Sequence, residues 1–503
     1  MTAPSTQLGV VAAGHPVSAR AGADAMLEGG NAVDAALGAM LASFACEPLL
    51  TGPGAGGYML VVAPGQAPAL LDFFVEAPGR GPAPAQRSEL IAVPVSFGHA
   101  IQVFHVGAAS VGTFGMPAGV CEAARRFGRF PLDRLAAPAA RLARDGVPLN
   151  PQQAYIVEIL GDIVTSTPEA AALFAPNGRL LRAGERLRQP ELGDALERLG
   201  AEGSRPFYEG DIGDAIVGWL AQRGGLVTRE DLAGYQVVER EPVLVRYRDR
   251  EVVTNPPPSA GGILLAYALA LLDREPGPPD ALTLVRAMEA IQAARDEAFF
   301  AGLPDPGFAH RFLASRVGST THVSVLDAAG WAASVTTSNG EGSGVLVPGT
   351  GLHMNNMLGE QDLSPLGFFA APPGSRLPSA MAPTLVRRGG ELELVLGSAG
   401  SNRIRSALLQ VIVNTVDLGL PVQAAVDAPR LHAEDGVVAV EPGIDMAALA
   451  AAGHSITRFR SRNTYFGGCQ AVSRVDGVIA GGSDPRRGGA VAAAAPGLTR
   501  PAP

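Results

Sequence analysis

A strand that opens on clustered hydroxyls constrains this chain more than any other stretch. Residues 318–325 read Gly318-Ser319-Thr320-Thr321-His322-Val323-Ser324-Val325. The Val-Ser-Val alternation predicts a β-strand with one buried face. A short turn, Asp327-Ala328-Ala329-Gly330, and a second run over residues 331–337 predict an antiparallel return. The open end of that hairpin gathers Thr320 and Thr321 with Thr336, Thr337, Ser338 and Asn339. Hydroxyls so placed can satisfy local backbone groups. They also suit a nucleophile. If the chain is cut before Thr320, that residue carries both a hydroxyl and a free α-amine.

Composition bounds the alternatives. A chain of 503 residues fits two to four average domains, or one large α/β unit. Its 47% hydrophobic content supplies an ample core, and 63 Gly with 41 Pro imply many turns. A net charge of −9 argues against nucleic acid or an anionic membrane as partner. The three cysteines, Cys46, Cys121 and Cys469, form no CxxC pair. Neither a disulfide framework nor a metal site is expected, and they read as small buried apolar groups. The first 14 residues lack a basic segment followed by a long apolar one, so a cytoplasmic protein without a secretory signal is expected. The apolar run over residues 32–50 is broken by Asp34, Glu47 and Pro48, too often to span a bilayer.

In chain order, a strand is predicted at 9–13 and helices at 16–27 and 32–44, the second capped by Asn31. Its Ala35, Ala36, Gly38 and Ala39 permit close packing. Residues 52–57 match GxGxxG, but a helix precedes them and a strand follows. That is the reverse of a dinucleotide fingerprint and points to a close backbone approach. Arg80, between two glycines, reads as a loop charge or an exposed anion-binding group. Helices follow at 120–127 and 132–146. Residues 150–240 are mostly helical, with Asp211, Asp214, Arg229, Glu230 and Asp231 on solvated faces. A strand is predicted at 247–255, then a helix at 263–272 with Ser259 as its N-cap, and a further helix at 282–300. The Ala/Gly/Pro-rich residues 488–503 are expected to fray.

Four segments after Thr320 have the composition of a catalytic site. Residues 336–344 bring Thr337, Ser338 and Asn339 to the end of the return strand, to bond the Thr320 hydroxyl or a substrate, or to serve the turn. Glu360, after Asn355-Asn356, suits a substrate ammonium or a solvated loop. Ser379 suits a substrate carboxylate or a plain turn. Gly397-Ser398-Ala399-Gly400-Ser401-Asn402-Arg403 separates a strand at 391–396 from a helix at 404–414. It presents backbone N–H groups that suit an oxyanion.

Taken together these pieces resemble the γ-glutamyltranspeptidase family of N-terminal nucleophile hydrolases. The matching residues are Gly29 to Ala35, Gly52 to Gly57, Pro257-Pro258-Ser259-Ala260-Gly261-Gly262, Thr320-Thr321-His322, Gly342 to Gly351, Asn355-Asn356, Pro383-Thr384, Gly397 to Arg403 and Ser483-Asp484-Pro485-Arg486. They stand in family order over nearly the whole chain. The resemblance implies an α+β fold, a four-layer αββα sandwich, with no cofactor. It implies autocleavage between Ser319 and Thr320, giving a large piece of residues 1–319 and a small one of 320–503 that stay associated as one intertwined unit. Thr320 becomes the nucleophile, its α-amine the base, and a γ-glutamyl amide such as glutathione the substrate, with water or an amine as acceptor. Asn339 falls on the family's substrate-binding Asn. The Thr that bonds the nucleophile is matched by Ser338 counting from Thr320, and by Thr337 counting back from Asn339. Gly400 and Ser401 fall on the oxyanion pair, usually Gly-Gly.

Several positions depart from the family's pattern. Phe74 stands where the family has the Arg that grips the α-carboxylate, Glu360 replaces an Asp, and Ser379-Ala380 replaces Ser-Ser. A site opened in this way would accept other acyl groups, as the related cephalosporin acylases do. A third reading, of another class, is a non-catalytic scaffold that keeps the fold.

Overall fold

The predicted hairpin forms from strands Thr321–Asp327 and Ala332–Ser338, with Thr321 opposite Thr337 and Leu326 opposite Ala332. The protein's structure, a computed structural model, describes residues 7–96, 101–293, 299, 303, 321–364 and 367–496. The hairpin is the centre of a seven-stranded antiparallel sheet. Gly9–Ala13 and then Ala490–Ala494 flank it on one side. Gly56–Val62, Ala69–Phe73 and Val238–Arg240 flank it on the other. A second antiparallel sheet of six strands runs Val478–Ser483, Gly468–Val475, Glu391–Ala399, Thr384–Arg388, Arg250–Thr254, Val243–Tyr247. Each sheet therefore mixes strands that precede residue 320 with strands that follow it.

Side-chain alternation sorts the strands between cores. Val10 and Ala12 belong to the apolar layer between the two sheets, with Leu60, Leu326, Val395 and Val472. Val11 and Ala13 face the opposite way, into a core shared with helices Pro16–Leu27 and Ala32–Cys46. On the far side of the second sheet, helices Ala260–Leu272 and Arg403–Val416 pack over Val386, Leu394 and Leu396. Every residue of Ala32–Cys46 is buried. Small residues let it close on its neighbour: a Cβ on Gly22 would stand 2.7 Å from the Ala35 carbonyl oxygen. Its start is fixed by a capping box in which Asn31 accepts from Asp34 N–H and Asp34 from Asn31 N–H. Among the described residues no helix is long and apolar enough to cross a membrane.

Several expectations need correction. Residues 247–255 are not one strand but parts of the hairpin Val243–Tyr247 and Arg250–Thr254, turned at Arg248 with φ 57°. The tail does not fray throughout, because Ala490–Ala494 is held as a strand by Gly9–Ala13; residues 497–503 lie outside the described residues. Asp231 is not solvated. It is fully buried, closes a capping box with Thr228 and accepts from the N–H groups of Gly79 and Arg80. Ser259 holds the N-cap position of Ala260–Leu272, but its hydroxyl donates to the Ser379 and Met381 carbonyls instead. The helix expected at 282–300 needs no correction over Ala281–Ala293, where it is formed, and residues 294–298 and 300 lie outside the described residues. Of its two readings, by contrast, Arg80 keeps that of a loop charge, paired with Glu76 at 2.7 Å.

Candidate active site

The two faces of the central hairpin carry different chemistry. His322, Ser324, Ser334 and Thr336 all point toward the second sheet. The Ser324 hydroxyl donates to Gln470 O and the Ser334 hydroxyl to Leu396 O, each at 3.1 Å, so the two sheets are joined by polar ties as well as by apolar packing. His322 sits between them, Nε2 2.8 Å from Ser324 Oγ and Nδ1 2.8 Å from Thr336 Oγ1. With the Ser324 proton committed to a carbonyl, Ser324 accepts from Nε2–H. Nδ1 then accepts from Thr336, which is the neutral tautomer. Burial holds the imidazole in that state, pushing its pKa down to about 3. Gly397 makes room for the ring: a Cβ there would lie 2.2 Å from Nδ1.

Thr337 points the other way, toward the helices. Its hydroxyl shares a 2.8 Å hydrogen bond with Thr51 Oγ1. Ser338, one residue on, returns to the face of His322. Its Oγ accepts from Gly340 N–H at 2.8 Å, and it lines a cavity with Gly340, Glu341, Gly400, Ser401, Arg403 and Arg487. Leu50, Ile156, Ile159 and Leu160 form the apolar wall of this cavity. Thr321 opens its strand at the same end of the sheet. Ser319 and Thr320, the expected cleavage site and nucleophile, lie outside the described residues.

Gly400 and Ser401 owe their position to a chain reversal. Strand Glu391–Ala399 stops where Gly400 takes φ 124° and Ser401 φ 53°. Helix Arg403–Val416 starts at once, with Arg403 N–H donating to Gly400 O and Ile404 N–H to Ser401 O. A Cβ on Gly400 would meet Gly467 Cα at 2.6 Å, so only glycine fits there. A non-glycine residue at positive φ is uncommon and costs backbone strain. Ser401 bears it at the helix N-terminus that faces the cavity.

Asn339 is wholly buried, its N–H donating to Leu50 O and its Nδ2 to His353 O. Its Oδ1 has no partner among the described residues. Glu360 lies behind the same turn: a Cβ on Gly340 would stand 2.0 Å from Asn356 Oδ1 and 2.3 Å from Glu360 Oε1. Asn356 Oδ1 accepts from Glu341 N–H, and Asn355 ties the loop to Gly54 and Gly112. The glycine-rich run near residue 54 makes the close backbone approach expected of it. A Cβ on Gly57 would lie 2.4 Å from Thr336 O.

Ser379 is fully buried, its hydroxyl accepting from Met381 N–H, and it does not line this cavity. Phe74 is a core residue stacked on Tyr58 at 5.5 Å. Arg80 and Arg376 are both engaged: Arg80 with Glu76, and Arg376 with Glu76 at 2.6 Å and Asp72 at 3.1 Å. Among the described residues no group of three or more His, Cys, Asp or Glu could hold a metal ion. Sequence reasoning overlooked Thr51 and Arg487. The only signal for Arg487 is its place directly after Ser483-Asp484-Pro485-Arg486.

Comparison with known proteins gives a consistent result. The family model described as Gamma-glutamyltranspeptidase matches residues 18–310 and 309–494. The "Acylase ACY 1 proenzyme" of Pseudomonas sp. (strain SE83) is 33% identical, over 98% of this chain and 94% of its own. The "Glutathione hydrolase proenzyme" of Escherichia coli (strain K12) is 30% identical, over 95% and 90%. Among solved structures, the cephalosporin acylase from Bacillus halodurans superposes with a TM-score of 0.82 at 28% identity, covering 98% of both chains.

Proposed function

The chain belongs to the gamma-glutamyltranspeptidase family of N-terminal nucleophile hydrolases, and on that premise we propose that it is a self-processing amide hydrolase acting through Thr320. The observation that carries this reading is the convergence of Ser338, Gly400 and Ser401 on one cavity, at the sheet end where Thr321 begins its strand. Residue 320 is joined to Thr321 by one peptide unit, about 3.8 Å between Cα atoms. The chain is cut between Ser319 and Thr320. Residues 1–319 and 320–503 remain one body because both sheets use strands from each. A four-layer αββα arrangement is the fold this reading carries. Helices Ala32–Cys46 and Arg403–Val416 on the outer sides of the two sheets support it.

The chemistry follows from these positions. The Thr320 Oγ attacks the amide carbonyl carbon and its proton passes to the Thr320 α-amine. Negative charge collects on the carbonyl oxygen, beside the backbone N–H groups of Gly400 and Ser401 at the helix N-terminus. The Ser338 hydroxyl, on the cavity side, holds the Thr320 oxygen in line. The α-amine returns the proton to the leaving amine as the C–N bond breaks. Water, or an amine, then attacks the resulting ester and frees Thr320.

The acyl group is better matched to an acylase than to a strict γ-glutamyl enzyme. Phe74 is packed in the core, and Arg80 and Arg376 are held by their own acids. The γ-glutamyl reading draws on Glu360, a carboxylate behind Gly340 suited to an α-ammonium. A denaturing gel tests the common step. Two fragments are expected, the smaller beginning at Thr320, and Thr320→Ala should abolish both the cut and amide turnover. Normal processing of that variant would sink the nucleophile's assignment. Comparing glutaryl and γ-glutamyl p-nitroanilides separates the two acyl classes, with faster glutaryl turnover expected.

A further inference from the structure

Among the described residues the cavity beside Gly400 is lined by two arginines and a single acid, Glu341, which leaves it with an excess of positive charge. Arg487 lines this cavity together with Arg403. Its Nε is shielded from solvent and has no hydrogen-bond partner among the described residues. Its Nη2 stands 3.4 Å from where a Cβ on Gly400 would be, so the guanidinium borders the oxyanion loop. Arg403 is spoken for: its Nε donates to Tyr465 O at 3.1 Å and its Nη2 faces Gln102 Oε1 at 3.4 Å.

The neighbours do not neutralise Arg487. Glu341, which lines the same cavity, Asp484 and Glu47 attract it without an ion pair among the described residues, while Arg403 repels it. Asp484 is taken by Arg430 at 2.6 Å and Arg486 at 3.2 Å. Burial pushes the Glu47 carboxyl up to about 7, so it is only partly ionised at neutral pH. Burial and Arg403 together push Arg487 down to about 10, which leaves it charged in the same range. A desolvated cation is ordinarily paired.

We propose that Arg487, backed by Arg403, binds a carboxylate of the substrate, and so sets a preference for anionic amides. The arginine fork matches a planar carboxylate, and the apolar wall of Leu50, Ile156 and Leu160 accommodates the carbon chain that bears it. The preference rests on the amidase reading above. The carboxylate has two possible sources, the acyl half or the amine half of the amide, and three substrates distinguish them. Glutaryl-p-nitroanilide carries it on the acyl half. Butanoyl-3-carboxy-4-nitroanilide carries it on the amine half. Butanoyl-p-nitroanilide carries none.

In Arg487→Gln, KM for whichever anionic substrate uses the site should rise roughly 10- to 100-fold, the loss expected for a charge-assisted hydrogen bond. KM for the neutral amide should stay within about 2-fold, and Arg487→Lys should recover part of the difference, because a point charge replaces the fork. Titration of wild type and Arg487→Gln with glutarate in a calorimeter gives a readout that needs no turnover. Arg487-dependent glutarate binding without hydrolysis of any amide would retain the site and remove the amidase reading. Hydrolysis with equal KM changes for all three substrates, or with none, overturns the site and leaves the amidase reading standing. If Arg487→Gln does not fold, Arg403→Gln should show the same selective rise in KM, and an unselective rise there overturns the proposal.

Discussion

Thr51 and Thr337 share a hydrogen bond of 2.8 Å on the helix side of the first sheet, turned away from the cavity that Ser338 lines. Two neighbouring hydroxyls on one strand are thereby given different surroundings. Ser338→Ala should lower kcat on a glutaryl amide about 10- to 100-fold with little loss of stability, as expected when a hydrogen bond to the reacting oxygen is lost. Thr337→Val strands the buried Thr51 hydroxyl and should cost about 1–3 kcal/mol in urea unfolding while leaving kcat near wild type. The opposite pattern of kinetics would transfer the role to Thr337.

Ser401 offers a test of the backbone. Its N–H is retained in Ser401→Gly, which also relieves a positive φ, so activity should persist. Ser401→Pro removes the N–H and demands a negative φ, and kcat should fall by two to three orders of magnitude, about 3–4 kcal/mol. Full activity in the proline variant would exclude this amide as an oxyanion donor.

Gly397 and His322 form a lock between the sheets. Gly397→Ala drives a methyl into the ring and should cost about 1–3 kcal/mol. Combined with His322→Ala, which empties that space, the cost of the added methyl should largely vanish. A double-mutant cycle by denaturant unfolding measures this, and strict additivity would mean that the contact carries no energy.

Acid should loosen the protein well above the carboxylate range. Burial depresses His322 to about 3 and His15 and His353 to about 4. The unfolded chain takes up these protons near pH 6.5, where the folded chain does not. Stability is thus full above 6.5 and falls as pH drops toward 4, by about 1.4 kcal/mol per unit for each histidine. Glu47 runs the other way. Raised to about 7, it favours the folded state most below its ordinary value of 4.5 and loses that contribution as pH rises through 7. Three histidines outweigh one glutamate, so urea midpoints should drop between pH 6.5 and 5. His322→Asn should flatten that slope; an unchanged slope would show that His322 titrates normally.

The hairpin was legible because its signal is local: alternation gives two strands, and a four-residue turn sets Thr321 against Thr337. The Thr228-to-Asp231 capping box was equally local and went unread, since acidic residues on a helix usually signal solvent. Ala490–Ala494 could not be read from its own residues, because its strand character comes from Gly9–Ala13, far away in sequence. That Ser338 and Thr337 face opposite sides of the sheet could not be weighed while their alignment to the nucleophile was ambiguous by one residue. Arg487 needed its surroundings, since what marks it is an Nε with no hydrogen-bond partner among the described residues.

The interleaving of the two sheets gives the proposed scission a consequence for stability. An uncut chain unfolds and refolds as a single molecule, so its melting temperature is independent of how much protein is present. Once residues 319 and 320 are separated, the same strands belong to two molecules, and reassembly becomes second order. Mature protein should melt higher as it is concentrated, whereas uncut Thr320→Ala should not. Such a cut would also leave neither fragment able to rebuild either sheet alone, because each sheet takes strands from both sides of residue 320. Loss of a cleaved protein on dilution and heating would then be governed by encounter between fragments as much as by the contacts within them.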